Sequence, residues 1–276
     1  MAQTIADNAT DPSADGALLA WHEAGAAGVL VSNGQTIRVG GTHPAVGGAR
    51  LAVIYNNAIQ VQQTSGQPFA ATIPAPGADA VAVSAEWVAW RAHAADGDTI
   101  FAASLAGGAP LQVARSAELG RPALEGGRLA YHVTGRTGSR IVIADLATGK
   151  HSTVRRERRA MLLNPSLYGG ELAYVRNFYR RQELRVGPQS RRSPQRDRRL
   201  WSIVPTGRRD SGHDPGKKHH RHGWPKKLWP RPKRGLSATL WTTALATDVA
   251  YVALLRQVVG QPLQYVILRV PRSPLG

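Results

Sequence analysis

A short apolar block recurs along the chain: Leu19-Ala20-Trp21, Leu51-Ala52-Val53, Val88-Ala89-Trp90, Leu129-Ala130-Tyr131, Leu172-Ala173-Tyr174 and Val249-Ala250-Tyr251. The alanines are 32, 37, 41, 43 and 77 residues apart, a period near 40 whose last interval holds one repeat plus an insertion of roughly 35 residues. A second landmark keeps the same register. Seven residues before the leucine stands a proline in four copies, Pro12, Pro44, Pro122 and Pro165, with Val81 in its place in the third. Between proline and block lies a glycine turn: Asp15-Gly16, Gly47-Gly48, Gly126-Gly127 and Gly169-Gly170. Glycine reaches the positive φ angles of tight hairpins, so each block is read as the second strand of a hairpin.

Further strands follow each block. Ile141-Val142-Ile143-Ala144-Asp145-Leu146 runs into the turn Ala147-Thr148-Gly149-Lys150, and Ile100-Phe101-Ala102-Ala103-Ser104-Leu105 into Gly107-Gly108. Several short strands in about 40 residues, separated by glycine turns, are the pattern of a β-propeller blade. Six anchors predict an all-β propeller of six blades, each of about four antiparallel strands; the alternative is a two-sheet sandwich. Leu263-Gln264-Tyr265-Val266-Ile267-Leu268 is expected to be a terminal strand that helps to close the ring and protect its edges. The expected organisation is a polar N-terminal segment over 1–11 and one propeller domain over 12–276, interrupted at 206–235 by a basic loop in the fifth blade.

The segments RPALEGGRLAYHVTGRTGSRIVIADLATGK and NPSLYGGELAYVR resemble the repeats of TolB-like, WD-repeat-like propellers: proline, a turn such as Asp-Gly, a Leu-Ala-Tyr/Phe strand, then Ile-x-Val-x-Asp-Leu and a glycine turn. The resemblance spans roughly 12–187 and returns at 240–270. Only Asp15-Gly16 keeps the Asp-Gly turn, which weakens inference about any TolB partner surface. What the resemblance implies is a non-catalytic binding or scaffold module in a periplasmic or extracellular setting. The N-terminus has neither a basic n-region nor an apolar h-region, so no signal peptide is read there and a cytoplasmic setting is the alternative.

Charge is confined to one region. The chain holds 35 basic and 18 acidic residues, a formal net charge of +17, and residues 151–235 carry 23 of the basic and 6 of the acidic ones. The remainder is neutral. With no cysteine there is neither a disulfide nor a thiolate centre, and no apolar run approaches a membrane span. The densest stretch, TGRRDSGHDPGKKHHRHGWPKKLWPRPKRG, lacks apolar periodicity and reads as an excursion from the propeller. There Lys217, Lys218, Arg221, Lys226, Lys227, Arg231, Lys233 and Arg234 alternate with Trp224, Trp229 and His222. This composition suits a polyanion: an envelope polymer, an anionic membrane surface or an acidic protein, or alternatively nucleic acid with rings stacked on bases. His213, Asp214, His219, His220 and His222 are weak metal candidates, since they stand among cations and match no zinc spacing. A solvated loop is the competing explanation throughout. The smaller cluster Arg155-Arg156-Glu157-Arg158-Arg159 is expected in a connecting loop.

Catalytic motifs are absent. Neither a G-x-S-x-G elbow nor an H-E-x-x-H helix occurs, and Ala144–His151 departs from a phosphate loop at both ends and is read as a turn. Asp96-Gly97-Asp98 lacks the remaining ligands of a calcium loop and is read as a solvated turn. His22, His43, His93 and His132 fall near strand ends, with His22 and His132 opposite in face to Trp21 and Tyr131, and rim or edge positions are expected for them. No cofactor is expected, and a monomer is favoured. The alternative to a binding module is a hydrolase or lyase with its centre in the funnel where blades meet.

Overall fold

The structure, a computed structural model, describes residues 2–23, 28–32, 35–65, 69–135, 138–178, 181–190, 197–203, 236–258 and 264–272. Among these residues every regular element is a β-strand, and none is a helix long and apolar enough to cross a membrane. The chain opens with β1 (Gln3–Asp7). A first sheet follows from β2 (Ala9–Asp15), β3 (Leu18–Glu23), β4 (Gly28–Ser32) and β5 (Gln35–Val39). The second has β6 (Thr42–Gly47), β7 (Arg50–Tyr55), β8 (Ala58–Gln63) and β9 (Phe69–Pro74), and the third β10 (Ala78–Val83), β11 (Trp87–Ala94), β12 (Gly97–Ser104) and β13 (Leu111–Ser116). The fourth holds β14 (Ala123–Glu125), β15 (Arg128–Gly135), β16 (Gly138–Asp145) and β17 (Lys150–Glu157); the fifth β18 (Met161–Tyr168), β19 (Glu171–Phe178), β20 (Arg181–Pro188) and β21 (Arg198–Ile203). A last sheet of β22 (Leu236–Leu245), β23 (Val249–Val258) and β24 (Gln264–Pro271) takes β1 as its outer strand.

All pairings are antiparallel, and the inner strands β2, β6, β10, β14, β18 and β22 each contact the next, with β22 returning to β2. The arrangement is a closed all-β propeller. The recurring block explains it. Alternation along a strand sends the alanine to one face of its sheet and the flanking leucine and aromatic to the other. Ala20 packs with Leu51 and Val53 of the second sheet, and Ala89 with Leu129 and Tyr131 of the fourth. Ala130 meets Leu172 and Tyr174, while Leu19 and Trp21 turn back onto Ile267 of the last sheet. The first five sheets therefore present a small face to their successor and a large one to their predecessor, while the last reverses this, with Ala250 beside Ala173 of the fifth sheet and Tyr251 beside Leu19 and Trp21 of the first; all six anchor alanines have no accessible surface. The second strands are consequently buried on both faces, as in Leu51–Ile54.

Polar groups at sheet junctions repeat in the same way. Asp98, Ser139 and Gln182 each stand second in the third strand of their sheet, and each is buried. They accept the backbone N–H of Leu119 (2.8 Å), Leu162 (3.1 Å) and Leu240 (2.6 Å) respectively, where the chain enters the next sheet. Near the opposite ends of the inner strands, Asp15 accepts from Gly48 N (2.7 Å) and Glu125 from Gly170 N (3.3 Å). Gly48 has a φ of +57°, and a Cβ there would lie 2.2 Å from the Ala85 nitrogen of the third sheet, so turn geometry and sheet approach both require glycine.

Several expectations need correction. Residues 1–11 contain β1 and the start of β2; the terminal strand expected to help close the ring is β24, and it does so by pairing with β1 from Gln3↔Arg269 to Asp7↔Val266. Asp98 is not a solvated turn residue: burial and the Leu119 amide hold it as a junction group, while exposed Asp96 pairs with Arg115. Arg155 and Arg156 lie in β17 rather than a loop. Arg155 is fully buried because its guanidinium is met by Asp197 Oδ2 (2.5 Å) and Oδ1 (3.0 Å), with Tyr174 donating its hydroxyl to the same carboxylate (2.8 Å). The 206–235 segment lies outside the described residues. It falls between β21 and β22, and the other links from an outer strand to the next inner one are residues 40–41, 75–77, 117–122 and 158–160.

Arg155 and Arg156 make a direct test of this packing. Arg155→Ala is expected to cost about 3–5 kcal/mol by stranding a buried carboxylate, while exposed Arg156→Ala changes stability by under about 0.5 kcal/mol. Equilibrium guanidinium unfolding of the two variants distinguishes them, and equal effects would contradict the buried pair.

Candidate functional site

The inner strands do not run straight. Register shifts interrupt β2 between Thr10 and Ser13, β6 between Thr42 and Ala45, and β18 between Leu163 and Ser166. A bulge re-aims the side chain it carries. In these three strands it holds the residue before the landmark proline, and Asp11, His43 and Asn164 all adopt positive φ there (57°, 49° and 45°). Arg121 precedes Pro122 at the entry to β14. All inner strands start at the same face of the ring, so these pre-proline residues gather at one mouth of the axial channel.

Three of them meet. Arg121 Nη1 donates to Asp11 Oδ1 at 2.5 Å, and His43 Nδ1 lies 2.8 Å from Asp11 Oδ2. His22, on β3 opposite Thr10, stacks obliquely on His43 with ring centroids 5.0 Å apart. Asp11 is buried, and burial alone would raise its carboxyl. The Arg121 charge, the His43 hydrogen bond and the two imidazoles outweigh burial and bring it down to about 2. An ionised carboxylate only accepts, so His43 donates from Nδ1. His22 is lowered from its ordinary value, first by burial and then by His43, and is neutral at pH 7.

Beside this cluster the channel narrows. Small side chains such as Ser13, Ala82, Ala123, Ser166 and Thr243 line a cavity of about 60 Å³. Organic ligands occupy roughly 300–1,000 Å³, so this passage admits a few waters and no such substrate. The neighbouring charges are junction groups. Arg91 clamps Asp79 through Nε (2.8 Å) and Nη2 (2.6 Å) and donates Nη1 to Leu119 O (2.8 Å). His132, expected at a rim or edge, is buried and accepts the Asn164 N–H on Nδ1 (2.9 Å). Gly120 presses on it so closely that a Cβ would lie 1.7 Å from that nitrogen. Desolvation, with Arg91 nearby, pushes His132 down to about 4. His93 stays largely exposed against Asp98 (2.6 Å).

The candidates read in the insertion, His213, Asp214, His219, His220 and His222 for metal and Lys217, Lys218, Arg221, Trp224, Lys226, Lys227, Trp229, Arg231, Lys233 and Arg234 for polyanions, lie outside the described residues. Sequence reasoning listed His22 and His43 as rim residues and passed over Asp11 and Arg121. The available signal was the position before each landmark proline, occupied by Asp, His, Arg and Asn in turn.

No family model matches the chain, and no curated protein matches it in sequence. Solved structures similar in fold include a putative TolB from Agrobacterium tumefaciens (TM-score 0.51, 10% identity, covering 72% of this chain and 82% of that one). A prolyl endopeptidase (0.50, 13%, 97% and 43%) and a chain of a mitotic checkpoint complex (0.50, 11%, 96% and 77%) are also similar. The likeness is one of fold, a β-propeller shared by proteins of unrelated tasks.

The two perturbed groups predict two acid transitions. His132 is held neutral, so its contribution is intact above pH 6.5 and is lost as pH falls from 6.5 toward about 4. Asp11 is held ionised; its contribution, roughly 2 kcal/mol, is present above its ordinary 3.8 and is lost as pH falls toward about 2. Urea midpoints measured across pH should fall through both windows. His132→Asn should flatten the upper one and Asp11→Asn the lower, and a variant curve parallel to the wild type in its own window would refute the assignment.

Proposed function

We propose that the chain is a six-bladed TolB-like propeller, each four-stranded sheet serving as one blade, that acts as a non-catalytic binding or scaffold module and uses the 206–235 segment to hold an anionic polymer. The observation that supports this is the distribution of compensated charge. In 151–203 every acid is paired with arginine: Glu157 with Arg176, Glu171 with Arg272, Asp197 with Arg155, and buried Glu183 with Arg185 (2.6 Å), Arg181 (2.9 Å) and Arg199 (3.6 Å). The basic residues of this stretch thus serve in part as structural counter-ions. The 206–235 segment has ten basic residues against Asp210 and Asp214 alone, with two tryptophans among them. In the chain it falls between the end of β21 and the start of β22. A cationic stretch on a neutral frame attracts polyanions by releasing their counter-ions. An envelope polymer is the partner class that agrees with the resemblance to TolB-like repeats.

A second reading, a hydrolase or lyase in the funnel, draws support from the oriented His43–Asp11 pair. The narrow channel and the guanidinium already seated on Asp11 weigh against it.

Retention on immobilised heparin and on DNA, measured with and without residues 206–235, tests the proposal. The full chain should bind both at about 50 mM salt and elute steeply as salt rises, and the deleted form should pass through while keeping its thermal transition. Preference for DNA over heparin would favour a nucleic-acid partner, and failure of the full chain to bind either would overturn the proposal.

A further inference from the structure

Asp11, His22 and His43 come from three strands, β2, β3 and β6, and one ligand atom from each lies within 4.8 Å of the other two. Zinc-class ions bind nitrogen and oxygen at about 2.0–2.2 Å, which sets ligand atoms roughly 3–3.5 Å apart. His43 and Asp11, at 2.8 Å, lie slightly inside that separation, and His22 and His43 are partly exposed. Asp11 is fixed: its backbone is held in the bulge before Pro12, and Arg121 grips its Oδ1 and leaves Oδ2 for another partner. A ligating carboxylate held by a second hydrogen bond on its far oxygen is the usual outer-shell arrangement of metal sites. Two imidazoles select borderline transition ions over calcium or magnesium, which prefer all-oxygen shells.

We propose that Asp11, His22 and His43 form a site for a divalent transition ion of the zinc class at the mouth of the axial channel, with Arg121 as the positioning residue for Asp11. Three protein ligands leave at least one coordination position for water or for a donor group from a partner. Entry of the ion replaces the His43–Asp11 hydrogen bond: Nδ1 and Oδ2 turn to the ion, and the proton on Nδ1 of His43 goes to Nε2 of a neutral ring or to solvent from an imidazolium. The guanidinium beside Asp11 lowers affinity relative to a site with an unshared carboxylate, while the junction between the first two sheets supplies a rigid frame for all three ligands.

The full chain titrated with Co²⁺, followed by visible absorption, and with Zn²⁺, followed by calorimetry and thermal unfolding, tests the proposal. The expected result is one equivalent bound, with ligand-field bands and a raised Tm. His22→Gln and His43→Gln should each weaken binding at least tenfold, and the combined His213→Gln, His219→Gln, His220→Gln and His222→Gln variant should leave the site intact. His22→Gln keeps the test decisive if His43→Gln fails to fold, since it leaves the His43–Asp11 contact in place. No cobalt spectrum in the wild type, or binding lost only in the insertion variant, would overturn the site.

Discussion

Six sheets around one axis must approach most closely at their inner strands and the second strands beside them, and the molecule depends on how that approach is made. The small side of one sheet receives the large side of the next. Ala89 against Leu129 and Tyr131, and Ala130 against Leu172 and Tyr174, are two instances of one contact repeated through the first five sheets. Interiors pack at crystal-like density, so a bulkier residue at an alanine position pushes two sheets apart and disturbs every junction that follows. The period of the blocks and the closure of the ring are thus two aspects of the same packing rule.

Polar groups then fix what apolar contacts leave free to slide. Asp98, Ser139 and Gln182 pin the start of the following sheet through its backbone amide. Between the fourth and fifth sheets charges add to this: Arg155, Asp197 and Tyr174 form a buried set that ties β17 of one sheet to β19 and to the residue before β21 of the other. A buried ion pair adds little net stability over an apolar substitute but penalises every arrangement that breaks it. Much of the basic character in 151–203 therefore concerns which strands sit together.

The fold was legible because its signal is local. Leu-Ala-aromatic blocks, glycine turns and prolines at a fixed offset are each contained within ten residues or so of sequence. What escaped was what the ring assembles from afar. Asp11 and Arg121 stand 110 positions apart and Asp11 and His43 stand 32 apart, so neither pairing leaves a trace in spacing. Arg155 looked like part of a solvated cluster since its partner comes 42 residues later. β1, with the sequence Gln-Thr-Ile-Ala-Asp, shows no apolar alternation because an outer strand needs little, and only the waiting edge of β24 makes it a strand.

That last pairing has a consequence for how the molecule comes into being. Gln3 precedes its partner Arg269 by 266 positions in the chain. Hairpins and whole sheets are local and can form as the chain emerges, but the seam stays open until β24 has been made. Contacts of such long sequence separation pay their loop-closure entropy before they gain anything, which slows folding. The nascent ring therefore spends its assembly with β1 unpaired and Leu19 and Trp21 uncovered, and the interval before β24 arrives is when this protein is most open to mispairing with another copy of itself.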